Sequence, residues 1–401
     1  MDAKKFNTLF AVAMIVILII NFFVWIFITD FTYSRGRSMD LSRLVYIPIS
    51  DESEYTQYHI TSDKYGMEAY SYLRTIPPPP VDVVTIGDSF SSYSIYQDQI
   101  SSVHNLTVLN FPLLSKKNEF ETTIILLNSG YLDRIKPKYL ILEKAQRNVF
   151  TGGYQWNFSM TMPVEDITKE YYNSSGSTHD YEKIVPPTES VPRYIVKTIQ
   201  SEPLALFTDS NSPFVKFVST MISESSPNDA SIGKISIGQI FSMNKYYFLN
   251  SVWLSLFGHS FDNQVYRFSL KEPMFTSSSD SHTLYVYYQD LDDMSNEENI
   301  HLMNDNLNHL SSSLKQHNIT LYFIIPMDKY ECYHDMIDRE PLYKSQVFEM
   351  FGIQSKDYQM IDTKSILQPY SAVGEKDLYR VGDTHWTPKA AYYIAKNISF
   401  V

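Results

Sequence analysis

The chain has 401 residues, 44% of them hydrophobic and 19% charged, a composition that supports a globular protein with a sizeable core and excludes a disordered chain. A formal net charge of −12, without a local basic patch, offers no field for phosphate backbones and excludes nucleic acid as a partner. Cys332 is the only cysteine, which rules out an intrachain disulfide and a thiolate metal cluster.

No charge interrupts Phe6 to Thr29, and Phe10 to Ile28 is nearly all apolar. At about 1.5 Å per residue this stretch covers the roughly 30 Å hydrocarbon core of a bilayer, so residues 1–30 are expected to hold an uncleaved transmembrane anchor. A signal peptide is the alternative, but Trp25 to Phe31 stands where small cleavage-site residues would be needed. Lys4 and Lys5 favour a cytoplasmic N-terminus, and Arg35 and Arg37 after the stretch weaken that asymmetry. Residues 31–80 are polar, rich in Tyr and end in Pro77 to Pro80. They read as a stalk and stiff linker, with the folded domain starting near Val81.

Val81 to Ile86 is a β-branched run that ends at Gly87-Asp88-Ser89, the pattern of a buried parallel strand emptying into a loop. Thr107 to Phe111 and Lys138 to Glu143 repeat it, with a helix expected over Glu119 to Tyr131. About 150–272 the pattern turns irregular and reads as a large insertion whose rings pack onto the domain or serve as a lid, a glycan platform or a membrane-touching surface. The pattern resumes with strands at Thr283 to Tyr288 and Thr320 to Ile325, a helix over Asn299 to Gln316, a strand near Tyr358 to Ile361 and a last helix over Pro388 to Ile398. Consecutive βα units predict an α/β domain, residues 81–401, with a mainly parallel sheet.

Ser89 follows the first strand directly, where open α/β sheets place ligands and where backbone N–H groups can meet an oxyanion. Asp88 beside it can instead cap the following helix. Far along the chain, Asp383 precedes His385 by two residues. That spacing lets a carboxylate hold the imidazole Nδ1 proton and leaves Nε2 to take the proton of a serine hydroxyl, which needs such a partner to attack at neutral pH. A surface loop or a metal half-site is the other reading of Asp-x-His, although no companion cluster at metal-ligand spacing accompanies it. No metal or cofactor is expected.

A serine after the first strand and Gly382-Asp-Thr-His-Trp386 before the last helix together resemble the SGNH (GDSL-like) hydrolase superfamily. More narrowly the chain resembles membrane-anchored SGNH proteins related to alginate O-acetyltransferases. The resemblance also takes in Thr85 to Phe90, Leu270 to Leu291 and Tyr322 to Tyr330. It implies a three-layer α/β/α sandwich, a Ser89–His385–Asp383 triad, and transfer of acyl groups, usually acetyl, onto glycan hydroxyls. An extracytoplasmic catalytic domain, a surface polysaccharide as acceptor and an acyl donor delivered by a multi-pass membrane acyltransferase follow from it. An acetylesterase, or a glycan-binding assembly subunit without catalysis, shares the same motifs.

Two superfamily blocks are not intact: no glycine follows the second strand in Asn110 to Ser115, and no Gly-x-Asn-Asp occurs in Ile141 to Asn148. Arg147 or Asn148 is therefore a candidate oxyanion donor. The resemblance also implies an acid and an arginine after the third strand, Glu143 and Arg147, which could equally form an i,i+4 pair that orders the loop. Trp386, and Lys329 beyond the Thr320 to Ile325 strand, are candidate substrate contacts, with a structural role open for Lys329.

Overall fold

The computed structural model describes residues 5, 6, 8, 10–21, 39–49, 58, 66–68, 81–92, 94–149, 156–174, 237–291, 296–338 and 344–401. The chain divides into two compact units, Met1–Ile47 with Tyr181–Tyr266, and Pro48–Asp180 with Arg267–Val401. In chain order the elements are β1 (Gly66–Glu68), β2 (Val83–Ile86), α1 (Ser89–Ser92), α2 (Ile95–His104), β3 (Val108–Phe111), α3 (Glu119–Asn128), α4 (Tyr131–Ile135) and β4 (Tyr139–Glu143). Then come α5 (Val164–Ser174), α6 (Ile237–Phe257), β5 (Val265–Ser269), β6 (Thr283–Tyr287), α7 (Glu297–Lys315), β7 (Thr320–Ile325) and α8 (Lys329–Tyr333). The last elements are α9 (Val347–Gly352), β8 (Gln359–Asp362), α10 (Thr363–Ala372) and α11 (Pro388–Asn397).

The second unit is built on a six-stranded parallel sheet of order β1-β3-β2-β4-β7-β8. β2 and β3 are buried at every position, and β4 and β7 at all but their first, which is why their sequences are continuous apolar or β-branched runs and not alternating ones. Right-handed crossovers send the chain from β2 to β3 in one direction and from β3 past β2 to β4 in the other, so the connecting helices fall on opposite faces. One layer holds α2, α10 and α11, and the other α3, α7 and α9. Local capping agrees with these boundaries: Asn118 and Glu121 form a reciprocal capping box on α3, Asn296 caps α7, and Thr387 with Pro388 starts α11.

The strands lie within two residues of their expected ends, and three expectations need correction. The helix over Glu119 to Tyr131 breaks at Gly130, which adopts φ 73° and begins α4. β6 lies outside the main sheet and pairs with β5 in a two-stranded sheet of its own. The domain does not begin at Val81: β1 is the edge strand beside β3, and Gln99 donates to the Tyr58 carbonyl at 2.6 Å. A three-residue edge strand in a Tyr-rich stretch leaves too little pattern to read.

The start of the insertion packs onto this unit. Trp156 stacks on Phe120 with centroids 4.2 Å apart, and Tyr171 of α5 lies against Phe111 while its hydroxyl donates to the Pro112 carbonyl. The expected readings of 175–236 fall outside the described residues.

In the first unit, residues 39–47 are not a solvated stalk. Met39, Leu41, Val45 and Ile47 are buried, the Tyr46 N–H donates to Ser251 Oγ at 2.8 Å, and Asn250 donates to the Leu44 carbonyl. Helix is described over residues 10–21, all of them exposed, while 22–38 lie outside the described residues. No helix among the described residues is long and apolar enough to cross a membrane.

Leu307 is wholly buried on the side of α7 that lies on β7. Leu307→Ala is expected to cost about 2–5 kcal/mol, read as a lower urea midpoint with an unchanged m-value.

Candidate functional site

β2 lies between β3 and β4, and the chain runs from β2 to β3 in one direction and from β3 past β2 to β4 in the other, so the carboxyl end of β2 is the topological switch point of the sheet. Gly87-Asp88-Ser89 leaves the sheet there, with Ser89 half-buried as the first residue of α1. Gly87 is required by close approach: a Cβ on it would stand 2.2 Å from Glu143 Oε2 and 2.3 Å from Ser91 Oγ.

A buried polar network holds this turn from below. Ser91 Oγ donates to Glu143 Oε2 at 2.9 Å and lies 2.9 Å from the Tyr96 hydroxyl. Asn110 donates to the Ser91 carbonyl at 2.8 Å and accepts from Thr85 Oγ1, while Gln97 donates to Thr85 Oγ1 and to the Ser91 carbonyl. Asp88 accepts from the backbone N–H groups of Phe90 and Ala145, tying the turn to the end of β4. Burial raises the Glu143 carboxyl well above the ordinary carboxylate range, the adjacent Asp88 charge raises it further, and the Ser91 hydrogen bond opposes both. The charged form of Glu143 is therefore disfavoured in the fold.

The second half of the site is the loop before α11. Asp383 Oδ1 lies 2.6 Å from His385 Nδ1 and also accepts the His385 backbone N–H at 3.1 Å. Both side chains are buried, and a bridge between Tyr379 and Trp386 closes the loop. Phe90 joins the two halves: its ring centroid is 4.6 Å from the His385 ring and 4.7 Å from Trp386. The residue after Ser89 thus packs on the imidazole, and no hydrogen bond joins Ser89 to His385 among the described residues. Trp386 is 1% exposed and wedged between Phe90 and Tyr96, which makes it a packing residue and not a substrate platform.

Arg147 binds the rest of the site together. Its Nη1 is 3.4 Å from both Asp290 and Asp328, its Nη2 donates to Thr384 Oγ1 at 2.9 Å, and its guanidinium lies 5.9 Å from the Phe90 ring centre. Arg147 and Glu143 face different partners, so the i,i+4 pair does not form. The described bonds of Arg147 go to carboxylates and a threonine. Asn148 remains at the same turn, half-buried, with its backbone N–H on the Ala145 carbonyl.

Lys329 is wholly buried and donates to the Val381 carbonyl at 2.8 Å, inside the fold and not along an open cleft. Burial raises the Asp290 and Asp328 carboxyls; Arg147 and Lys329 oppose this at Asp290, whereas the Asp290 charge adds to it at Asp328. The sequence reading missed Asp290 and Thr384. A lone Asp after a Tyr-rich strand carries no local signal, and Thr384 is the unassigned middle of Asp-x-His.

Two variants separate these roles. A carboxyl raised in the folded state contributes stability that is whole below its ordinary value of 4.5 and declines as pH rises toward its folded value. Glu143→Gln, permanently neutral, is therefore expected to gain stability relative to the parent chain as pH rises above the ordinary value of 4.5, read as the difference in Tm along the pH series. Arg147→Ala leaves Asp290 and Asp328 buried without their cation and is expected to cost about 3–5 kcal/mol in denaturant unfolding. Adding Asp290→Asn and Asp328→Asn should recover part of that loss.

Residues 284–400 match a family described as SGNH hydrolase-like domain, acetyltransferase AlgX. The matched segment carries Asp290, Asp328, Lys329, Asp383, His385 and Trp386, and leaves Ser89, Glu143 and Arg147 outside it. No curated protein and no solved structure matches the chain. Over residues 284–400 the chain thus carries the likeness of the SGNH hydrolase-like, AlgX-type acetyltransferases, on an α/β fold with a mainly parallel sheet.

Proposed function

We propose that the chain transfers an acyl group, in the first place acetyl, onto hydroxyls of an extracytoplasmic surface polysaccharide through an ester on Ser89. The observation that carries this reading is the buried Asp383–His385 pair, with its 2.6 Å contact, packed against the residue that follows Ser89. Asp383 fixes the tautomer in which Nδ1 bears the proton and Nε2 is basic. Ser89 Oγ attacks the donor's acyl carbon as His385 takes the hydroxyl proton. The tetrahedral intermediate then expels the donor's leaving group, which receives that proton. A sugar hydroxyl repeats the steps in reverse, giving its proton to His385 and releasing Ser89. The Ser89 backbone N–H and Asn148 are the candidate stabilisers of the oxyanion.

The uncharged stretch from Phe6 to Thr29 is proposed as a membrane anchor with a cytoplasmic N-terminus, so that a multi-pass acyltransferase could hand the acyl group to an extracytoplasmic Ser89. An esterase uses the same residues with water in place of the sugar. A glycan-binding subunit without catalysis is the second reading, favoured by the two superfamily blocks that are not intact, the glycine after the second strand and Gly-x-Asn-Asp, together with the large insertion.

A fluorophosphonate probe is expected to label the full-length protein on Ser89, and His385→Ala to abolish the adduct. Labelling elsewhere, or none, favours the glycan-binding reading. Acetyl-ester turnover with and without a polysaccharide acceptor separates the two enzymes: product formed on water alone and unchanged by acceptor sinks the transferase.

A further inference from the structure

Within the first unit, the C-terminal half of α6 buries polar side chains and exposes large apolar ones. Asn250 and Ser251 face the protein, while Ser255 is exposed. Asn250, 3% exposed, donates to Asp262 Oδ2 at 3.0 Å and to the Leu44 carbonyl, and its own Oδ1 accepts the Asp262 N–H. Ser251 accepts the Tyr46 N–H and donates to the Tyr247 carbonyl. Leu254 is the buried apolar residue on that side.

The opposite side carries large apolar residues into solvent. Phe248, Val252 and Leu256 follow each other at intervals of four, which places them in one stripe along the helix, and they are 45%, 37% and 69% exposed. Phe257 and Phe261 extend the patch at 57% and 47% exposed, and Trp253 packs between them with ring centroids 4.6 Å and 5.4 Å away. No Asp, Glu, Lys or Arg occurs from Tyr246 to Phe261. A water-facing helix would place Asn250 and Ser251 outside and the stripe inside. Contiguous exposed apolar surface of this kind marks a binding face.

We infer that this face seats in the interfacial region of a lipid bilayer, with Trp253, Phe257 and Phe261 at headgroup level and Phe248, Val252 and Leu256 turned toward the acyl chains. Two observations select lipid as the occupant. The same compact unit contains the uncharged stretch from Phe6 to Thr29, whose described residues 10–21 are all exposed, so one unit holds both apolar surfaces. The stripe also combines an uncharged surface with clustered Trp and Phe, the composition of side chains that settle between water and hydrocarbon. The inference rests on the anchor reading for its setting. It adds a second contact, which holds the first unit flat on the surface instead of leaving it tethered by a single segment.

The test uses full-length protein reconstituted into phosphatidylcholine vesicles with brominated acyl chains, which quench only tryptophans at membrane depth. Trp25→Phe, Trp253→Phe and the double variant are compared in brominated and unbrominated lipid. Trp25→Phe is expected to lose emission in brominated lipid, and the double variant to lose none. Leu256→Asp with Phe257→Asp, both at exposed positions, should abolish the quenching of Trp253 without changing the circular dichroism spectrum. An unquenched Trp253 overturns the inference and turns the face toward a protein partner or a second copy. Failure of the anchor reading looks different: Trp253→Phe is then unquenched, because Trp25 does not reach the lipid.

Discussion

The buried guanidinium of Arg147 is the interaction on which the candidate site depends. It touches Asp290 after β6, Asp328 after β7, Thr384 in the Asp-x-His loop and the ring of Phe90 beside Ser89. Four segments distant in sequence therefore meet on one rigid, planar cation that cannot shed its proton. Removing such a group from water is expensive, and two carboxylates with Lys329 nearby offset that cost only while all of them stay in place. The arrangement contributes little net stability, but it leaves the loops few alternative positions.

The sheet supplies the frame for this cluster. Because the strands are parallel, the loops after β2, β4 and β7 open at the same carboxyl edge as the switch point. The network under Ser91 then sets the height of the turn. Asn110 and Gln97 both bond Thr85 and the Ser91 carbonyl, while Glu143 occupies the space that Gly87 leaves open. A charged Glu143 there would face Asp88 without a cation among its described partners. The packing thus works against its charged form.

Much of the fold was legible because the central strands are covered on both sides, which forces continuous β-branched runs. Ser89, Asp383 and His385 were legible as a spacing and a chain order. The partners of Arg147 were not, since Asp290 and Asp328 lie 143 and 181 positions away and no local pattern encodes such a meeting. Trp386 looked functional because it adjoins His385, yet its ring fills the core between Phe90 and Tyr96. Residues 39–47 read as stalk because they follow the expected anchor and their apolar side chains form too short a run to mark an element, and only the bonds to Ser251 and Asn250 reveal them as packed chain.

The threonine between Asp383 and His385 carries a consequence for how the motif is understood. The loop bends at Thr384 and His385, and the Asp383 carboxylate folds back onto both the backbone N–H and the ring of His385, which leaves the middle side chain to take a partner of its own. Thr384 faces Arg147 and is 1% exposed. The position usually written as a wild card is, in this chain, the handle by which the interior grips the loop. The Asp-x-His spacing sets which atoms can meet, and the hydroxyl at its centre sets where in the protein they do so.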